Sequence, residues 1–121
     1  MSRQFGELKM VKTKKNVINY FGAQTFYHDS RSGLIANNTY IVRPESEVYA
    51  VRLHQTNIVT YYLNRVILNS GGWLSVTTKD RMNQFTPGHL HVFQEKNQWF
   101  VWNRLTDETV EFFDGISFRV E

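Results

Sequence analysis

Apolar and polar residues alternate through the middle of the chain. Between residues 47 and 54, Tyr49, Val51 and Leu53 occupy every second position, which is the period of a strand with one buried face. Four such segments, separated by short polar turns, lie at residues 38–43, 47–54, 58–62 and 66–68. This pattern predicts an antiparallel meander.

Two more strands are predicted ahead of the meander. Residues 16–21 and 25–28 are rich in β-branched and aromatic side chains, and Gly22 lies between them. Such side chains favour strands. The polar residues at 29–33 are typical of a turn that ends this part of the chain.

A short helix is predicted between the meander and the last third of the chain. Thr77 is the expected N-cap, and Asp80 follows three residues later, in the place of the acidic member of a capping box. Met82 and Phe85 lie one turn apart and should face the sheet. The Pro-Gly pair at residues 87–88 ends the helix.

The last third of the chain is expected to form two hairpins. Residues 90–93 and 99–102 form the first, and Asp114-Gly115 suits a type I′ turn in the second. The predicted fold class is therefore α+β, mainly an antiparallel bent β-sheet of meander and hairpins with one short helix packed on it.

Length and composition favour a single β-rich domain at residues 16–121. The chain has 121 residues, of which 41% are hydrophobic and 15% aromatic, and it has no cysteine. A disulfide framework is therefore excluded. No apolar run reaches the length of a membrane span or a signal peptide. We expect a cytoplasmic protein with no membrane partner.

The net charge of +3 is concentrated at the start of the chain. Residues 1–15 hold five basic residues and one acidic residue, and we interpret them as a basic N-terminal arm. Such an arm either contacts nucleic-acid phosphates or an acidic partner, or is a solvated end of the chain.

Residues 69–85 combine features of a ligand-binding loop. Gly71 and Gly72 allow a close backbone approach, Trp73 follows at once, and a helix with Lys79 and Arg81 begins soon after. Helix N-termini attract anions, and an exposed aromatic ring can stack on a base. This combination predicts a nucleotide-sized ligand.

A characteristic set of residues lies between about residue 48 and residue 120. It comprises Val51, Arg52, Leu53, His54, Thr56, Ile58, Val59, Gly71, Gly72, Trp73, Thr77, Thr78, Lys79, Arg81, Asn83, Trp99, Asp114 and Gly115. In these residues the chain resembles a widespread type of small phage-encoded protein. The chain is also similar to the Thoeris anti-defence proteins of phages, which bind cyclic ADP-ribose signals and sequester them without cleavage.

This second resemblance implies roles for particular residues. Trp73 and Asn83 would hold the base of the ligand, and the ligand sites would lie at contacts of a homo-oligomer. Arginines would clamp the diphosphate. The full set of candidate ligand-binding residues is Gly71, Gly72, Trp73, Thr77, Thr78, Lys79, Arg81, Asn83, Arg52, His54 and Arg104.

Each of these residues also has a purely structural interpretation. Trp73 could be a core ring, and Asn83 a helix cap or a surface amide. Lys79 and Arg81 are typical solvated helix charges, and Arg52 fits the solvent side of a sheet.

Enzymatic alternatives depend on the histidines. A two-histidine phosphodiesterase acting on cyclic nucleotides needs two His-x-Thr or His-x-Ser elements, and His54-x-Thr56 supplies one, with Ser30 at the matching offset from His28. His89 and His91 have the spacing of a metal pair, but a third ligand is not evident. We therefore expect a non-enzymatic protein without a metal or cofactor.

A further alternative is a protein inhibitor. In that hypothesis the aromatic strands and the basic arm block a host nuclease or a CRISPR-type or other nucleic-acid complex, so that the partner is a host defence protein. Unpaired strand edges in so small a protein also favour a homo-oligomer.

Overall fold

A computed structural model describes residues 17–120 of the chain. Within this range there are two helices and nine strands. The helices are α1 (Tyr20–Asp29) and α2 (Val76–Phe85). The strands are β1 (Leu34–Ala36), β2 (Thr39–Glu45), β3 (Val48–Leu53), β4 (Thr56–Tyr62), β5 (Arg65–Leu68), β6 (Leu90–Glu95), β7 (Gln98–Asn103), β8 (Glu108–Glu111) and β9 (Ile116–Arg119).

The strands form two antiparallel sheets. The larger sheet has the order β1-β2-β3-β4-β5-β9, and the smaller one has the order β6-β7-β8. The predicted meander is confirmed, since β2 to β5 are neighbours in chain order. Pro44 lies within β2 rather than after it. Tyr40 is the last residue of β2 that pairs with β1. Pro44 lies beyond it, so the missing N–H of this proline removes no hydrogen bond between β2 and β1.

The core lies on one face of the large sheet. Both helices pack there, α1 against β2, β3 and β4, and α2 against β3, β4 and β6. The largest fully buried side chains include Tyr49, Tyr61 and Phe85. Helix α2 thereby links the two sheets, and its start lies beside β3 and β4. The α+β class with mainly antiparallel sheets is confirmed, with two helices in place of the expected one.

The prediction of strands at residues 16–21 and 25–28 is wrong within the described part of the chain, because α1 spans Tyr20–Asp29. Asn19 caps this helix, because its Oδ1 accepts a hydrogen bond from the Gly22 N–H at 2.8 Å. Tyr20 and Ala23 are buried against the sheet. Capping and tertiary packing thus outweigh the strand preference of the aromatic residues.

Helix α2 begins earlier than predicted. Ser75, not Thr77, is the N-cap, and its Oγ accepts a hydrogen bond from the Thr78 N–H at 3.2 Å. The expected orientation is confirmed, since Met82 and Phe85 are buried. Thr86 is the C-cap, immediately before the Pro-Gly pair.

The first of the two predicted hairpins is confirmed and the second is wrong. Strands β6 and β7 pair in register from Leu90 opposite Asn103. Strand β9, however, pairs with β5 in the other sheet rather than with β8. Gly115 has a φ of +93°, whereas Asp114 is not among the residues with positive φ, so the type I′ turn does not form.

The predicted basic arm at residues 1–15 lies outside the described residues. Among residues 17–120, no helix combines the length and apolarity needed to cross a membrane.

Candidate functional site

The backbone conformation of the loop between β5 and α2, residues 69–75, is constrained by its glycines and hydrogen bonds. Gly71 and Gly72 adopt φ values of +65° and +87°, which disfavour residues with a Cβ. Gly71 also lies directly against the Thr56 side chain, so that an added Cβ would overlap it. The backbone N–H of Trp73 donates to the Ser70 carbonyl at 3.0 Å. These constraints explain the glycine pair ahead of the tryptophan.

Asp114 anchors this loop from a distant part of the chain. Its Oδ1 accepts hydrogen bonds from both the backbone N–H and the Oγ of Ser70, each at 2.7 Å. The Ser70 Oγ in turn accepts from the Gly72 N–H at 3.1 Å. Ser70 is 2% exposed. The carboxylate therefore holds the start of the loop against the end of the large sheet.

The first turn of α2 continues directly from the loop. Ser75 Oγ also contacts Thr78 Oγ1 at 3.1 Å, and the Lys79 N–H donates to the Ser75 carbonyl at 3.1 Å. The N–H groups of Val76 and Thr77 have no carbonyl acceptor within the helix, as in the first turn of any α-helix. They add partial positive charge at this end of α2.

A groove of about 500 Å³ lies between this loop, the start of α2 and the turn that joins β3 to β4. Its lining combines two aliphatic side chains with hydroxyl, amide, imidazole and indole groups. The lining residues are Leu53, His54, Gln55, Thr56, Ile58, Ser70, Trp73, Ser75, Thr77 and Thr78. The volume falls within the range of small-molecule sites.

Trp73 borders this groove and is 71% exposed. The hypothesis that Trp73 is a core ring is therefore wrong. An indole on the surface, attached to a constrained loop, keeps a free face on which a planar group can stack.

The structure brings four of the predicted site residues together in the groove, namely His54, Trp73, Thr77 and Thr78. Two of the other predicted residues, Gly71 and Gly72, shape the loop without lining the groove. His54 has a positive φ of 56° in the β3–β4 turn, and its N–H donates to the Asn38 carbonyl at 3.0 Å.

Asn83 does not line the groove. Its Nδ2 donates to the Val92 carbonyl and its Oδ1 accepts from the Val92 N–H, both at 2.8 Å. The amide thus uses the same donor and acceptor pair that would recognise a base edge. In this structure Asn83 joins α2 to β6.

The predicted cationic residues also lie outside the groove lining. Arg81 Nε donates to Thr39 Oγ1 at 3.1 Å, and Lys79 Nζ contacts Gln94 Oε1 at 3.4 Å. The guanidiniums of Arg52 and Arg104 lie 5.8 and 5.3 Å from the ring centroids of Tyr40 and Trp102, respectively.

His54, His28 and His89 lie in three different clefts. His54 lines the groove beside Thr56, whereas His28 lies in a different cleft with Ser30 and contacts the Tyr49 hydroxyl at 3.1 Å. His89 lies in a third cleft. Across residues 17–120, three or more His, Cys, Asp or Glu side chains nowhere cluster in a way that could hold a metal ion.

Sequence reasoning missed several groove residues and the anchor of the loop. The missed lining residues are Leu53, Gln55, Thr56, Ile58, Ser70 and Ser75. Ser70 and Ser75 lie within residues 69–85, the predicted ligand-binding segment, so their hydroxyls could have been included among the candidate site residues from the sequence. The contact between Asp114 and Ser70 spans 44 residues and has no local signal.

Comparison with known proteins identifies a family. No curated protein and no solved structure matches the chain significantly. Residues 10–119 match the family described as Kyanoviridae Gp96 protein. The prediction of a small phage-encoded protein is thereby confirmed, while the Thoeris-type resemblance stays a prediction. Because the match covers nearly the whole sequence, the chain belongs to the Kyanoviridae Gp96 protein family.

Proposed function

We propose that this protein binds a small nucleotide in the groove beside Trp73 and sequesters it without cleavage. A cyclic ADP-ribose signal of a bacterial defence system is the ligand that the resemblance to the Thoeris anti-defence proteins suggests. The observation that carries the proposal is the exposed Trp73 indole next to a groove of about 500 Å³.

The chemistry of the groove suits a base and a sugar. Trp73 offers a stacking face, which contributes roughly 1–3 kcal/mol in complexes with nucleic-acid bases. The hydroxyls of Thr56, Thr77 and the neighbouring serines act as both donors and acceptors. Such groups match the edges of a base and the hydroxyls of a ribose.

Phosphates are assigned to the start of α2. Arginine and lysine are absent from the groove lining, within the residues that the structure describes. The N–H groups of Val76 and Thr77 lie at the positive end of the helix dipole, where phosphate oxygens bind favourably. This assignment replaces the arginine clamp that the resemblance implied.

Binding without cleavage fits the side chains that line the groove. Hydrolysis of a cyclic phosphate by general acid and base catalysis needs two positioned acid–base side chains, such as imidazoles or carboxylates. The described residues that line the groove include one imidazole, that of His54, and no carboxylate. The proposed activity is accordingly capture rather than turnover.

A second copy of the chain is part of this proposal. Leu74 and Val76, one and three residues after Trp73, are 57% and 68% exposed. Apolar side chains exposed next to one another are typical of interaction sites. We call the exposed side chains of Trp73, Leu74 and Val76 the apolar rim. A homo-oligomer that covers the apolar rim would close the groove over its ligand, as in proteins whose ligand sites lie at subunit contacts.

The same apolar rim favours one alternative function. In an inhibitor of a host defence protein, such as a nuclease, Trp73, Leu74 and Val76 would form the centre of the protein interface. Aromatic anchors dominate such interfaces. The two functions predict different stabilising ligands for the purified protein. A sequestering protein is stabilised by its nucleotide, whereas an inhibitor is stabilised by its protein partner.

A thermal-shift screen distinguishes them. The purified chain is heated with cyclic ADP-ribose isomers, cyclic dinucleotides and trinucleotides, and NAD, and any bound nucleotide is released by heat and identified by chromatography. A ligand at about a hundred times its Kd adds about 2.7 kcal/mol to the free energy of unfolding. A nucleotide that raises the Tm and is recovered intact supports sequestration. A nucleotide recovered as product contradicts it, and the absence of any shift favours the inhibitor.

A further inference from the structure

Two arginines face each other at one edge of the large sheet. Arg65 in β5 and Arg119 in β9 are Cα partners in the antiparallel ladder, and both side chains are exposed. Directly opposed residues leave the same face of a sheet with their Cβ atoms about 4.5–5.5 Å apart, and like charges in this position repel. An anion bound between the two guanidiniums would attract both of them and offset their mutual repulsion.

Tyr62 extends the same row and orients one of the two guanidiniums. Tyr62 is the Cα partner of Arg65, and the Arg65 guanidinium lies 4.5 Å from the centroid of the Tyr62 ring. A guanidinium stacked on an aromatic ring keeps the N–H donors at its edge free. Arg65 is therefore positioned before a ligand arrives.

The end of β9 is held beside this row by the backbone. The Val120 N–H donates to the carbonyl of Asn64 at 3.0 Å, which joins β9 to the turn between β4 and β5. The next pair of the ladder inward, Val66 opposite Phe118, is anchored by the buried Val66. Arg119 thus stands on a strand whose register is fixed.

The row borders a cleft of about 520 Å³. The cleft is lined by Tyr62, Asn64, Arg65, Ser117 and Arg119. Its lining contains two guanidiniums, two hydroxyls and an amide, and no carboxylate is among these described residues to neutralise the arginines.

We propose that this cleft, the Arg65–Arg119 cleft, binds a phosphate group. An arginine fork matches two oxygens of a phosphate, and two forks on one face can hold a dianion from two sides. The Ser117 hydroxyl and the Asn64 amide add neutral donors. The phosphate belongs either to a free polyphosphate or nucleotide or to the backbone of a nucleic-acid strand, since both present the same oxygens.

The Arg65–Arg119 cleft is separate from the groove beside Trp73. The groove lies at the start of β4, near Thr56, and the cleft at its end, near Tyr62. Seven residues of extended strand separate these ends by about 20 Å. Failure of either proposal therefore leaves the other intact, and Trp73→Ala should not alter phosphate binding at the cleft.

Two probes test the cleft with the full chain. Inorganic pyrophosphate is titrated in a thermal-shift or calorimetric assay, and a fluorescently labelled oligothymidylate is titrated by anisotropy. Tighter binding of the oligonucleotide assigns the cleft to a strand, and preferential binding of pyrophosphate assigns it to a free phosphate. Either result supports the proposal, provided that Arg65→Gln and Arg119→Gln each weaken the binding roughly tenfold.

Arg52→Gln is the matched control. Arg52 is an exposed arginine on a strand of the same sheet, stacked on Tyr40, and its substitution removes the same charge away from the cleft. We expect it to change the affinity by less than about twofold, apart from a weak effect of net charge. Equal losses in Arg52→Gln and Arg65→Gln would show diffuse attraction and overturn the assignment, as would the failure of both probes to bind.

Folding of the variants provides an independent check. Because Arg119→Gln removes a like-charge contact, its Tm in the absence of anions should equal or exceed that of the unchanged chain. Should Arg65→Gln not fold, Arg65→Lys keeps the charge but loses the fork, and it should bind pyrophosphate measurably more weakly. Unchanged affinity in a folded Arg65→Lys and in Arg119→Gln would contradict the proposal.

Discussion

The carboxylate of Asp114 accepts two hydrogen bonds from Ser70, one from its backbone N–H and one from its hydroxyl, both at 2.7 Å. Through this contact the residues ahead of β9 hold the loop that carries Trp73. The candidate groove thus depends on a residue that is not among those lining it.

Replacing Asp114 tests this dependence. In Asp114→Ala the buried Ser70 loses its acceptor, and we expect the free energy of unfolding to fall by about 1–3 kcal/mol. Asp114→Asn keeps an acceptor oxygen and should lose less. Chemical denaturation measures both, and equal stability of Asp114→Ala and the unchanged chain would contradict the role of this contact.

The two glycines of the loop should differ in their tolerance of alanine. Both have positive φ, so each substitution stores backbone strain of about 1–2 kcal/mol. Only at Gly71 does the new Cβ also meet Thr56, whereas around Gly72 the space is open. Gly71→Ala should therefore have the lower Tm.

A second substitution checks the cause of that difference. Thr56→Ala removes the atoms that a Cβ at residue 71 would meet. Combined with Gly71→Ala it should restore part of the lost stability. If the double variant is as unstable as the sum of its two single changes, the steric explanation is wrong.

Asn83 should matter for folding rather than for ligand binding. Asn83→Ala removes both hydrogen bonds to the Val92 backbone, which should lower the free energy of unfolding by about 1–3 kcal/mol. Gln84→Ala, an exposed change on the same helix, is the control and should be nearly neutral. A stable Asn83→Ala that no longer binds nucleotide would restore the ligand role of Asn83.

Tyr61 should make the protein sensitive to alkaline pH. Burial raises the pKa of Tyr61 well above 10.0, and its hydroxyl donates to the Phe85 carbonyl. The unfolded chain, with a tyrosine pKa near 10, loses this proton first, so stability is complete below that pH and falls as the pH rises towards the folded pKa.

Tyr61→Phe removes this ionisation. At neutral pH the variant should be less stable by about 1 kcal/mol, because the Phe85 carbonyl loses its donor. Above about pH 10 its stability should fall less steeply than that of the unchanged chain. Denaturation curves over the alkaline range measure both slopes, and parallel slopes would argue against a buried, neutral Tyr61.

The middle of the fold was predictable because its signals are local. In β3 the alternation of Tyr49, Val51 and Leu53 reports one buried face, and short polar turns fix the order of the neighbouring strands. The prediction of strands within residues 20–29 was wrong because their aromatic side chains favour strands. The Asn19 cap and the burial of Ala23, which favour a helix, outweigh that preference.

The site was predictable in part for the same reason. The glycine pair and Trp73 are adjacent in sequence, so their combination was visible. The participation of Thr56 and the anchoring by Asp114 are consequences of tertiary packing, which brings the end of the β3–β4 turn and the residues ahead of β9 to the loop. The two hydrogen bonds of Asn83 could not be predicted, because their partner is the backbone of Val92. Every residue has a backbone N–H and carbonyl, so the sequence does not indicate which of them Asn83 contacts.

The central claim is that Trp73 holds a nucleotide in the groove, and calorimetric titration of cyclic ADP-ribose isomers into the chain tests it most directly. The unchanged chain is compared with two variants, Trp73→Ala and Phe21→Ala. Both variants remove an exposed aromatic ring, and Phe21→Ala is the control because Phe21 lies outside the groove. We predict that an isomer binds the unchanged chain and Phe21→Ala equally well. Trp73→Ala should bind at least about tenfold more weakly, as expected for a lost stacking contact, with its Tm nearly unchanged. Equal affinity in all three proteins, or no binding of any isomer to the unchanged chain, would contradict the account.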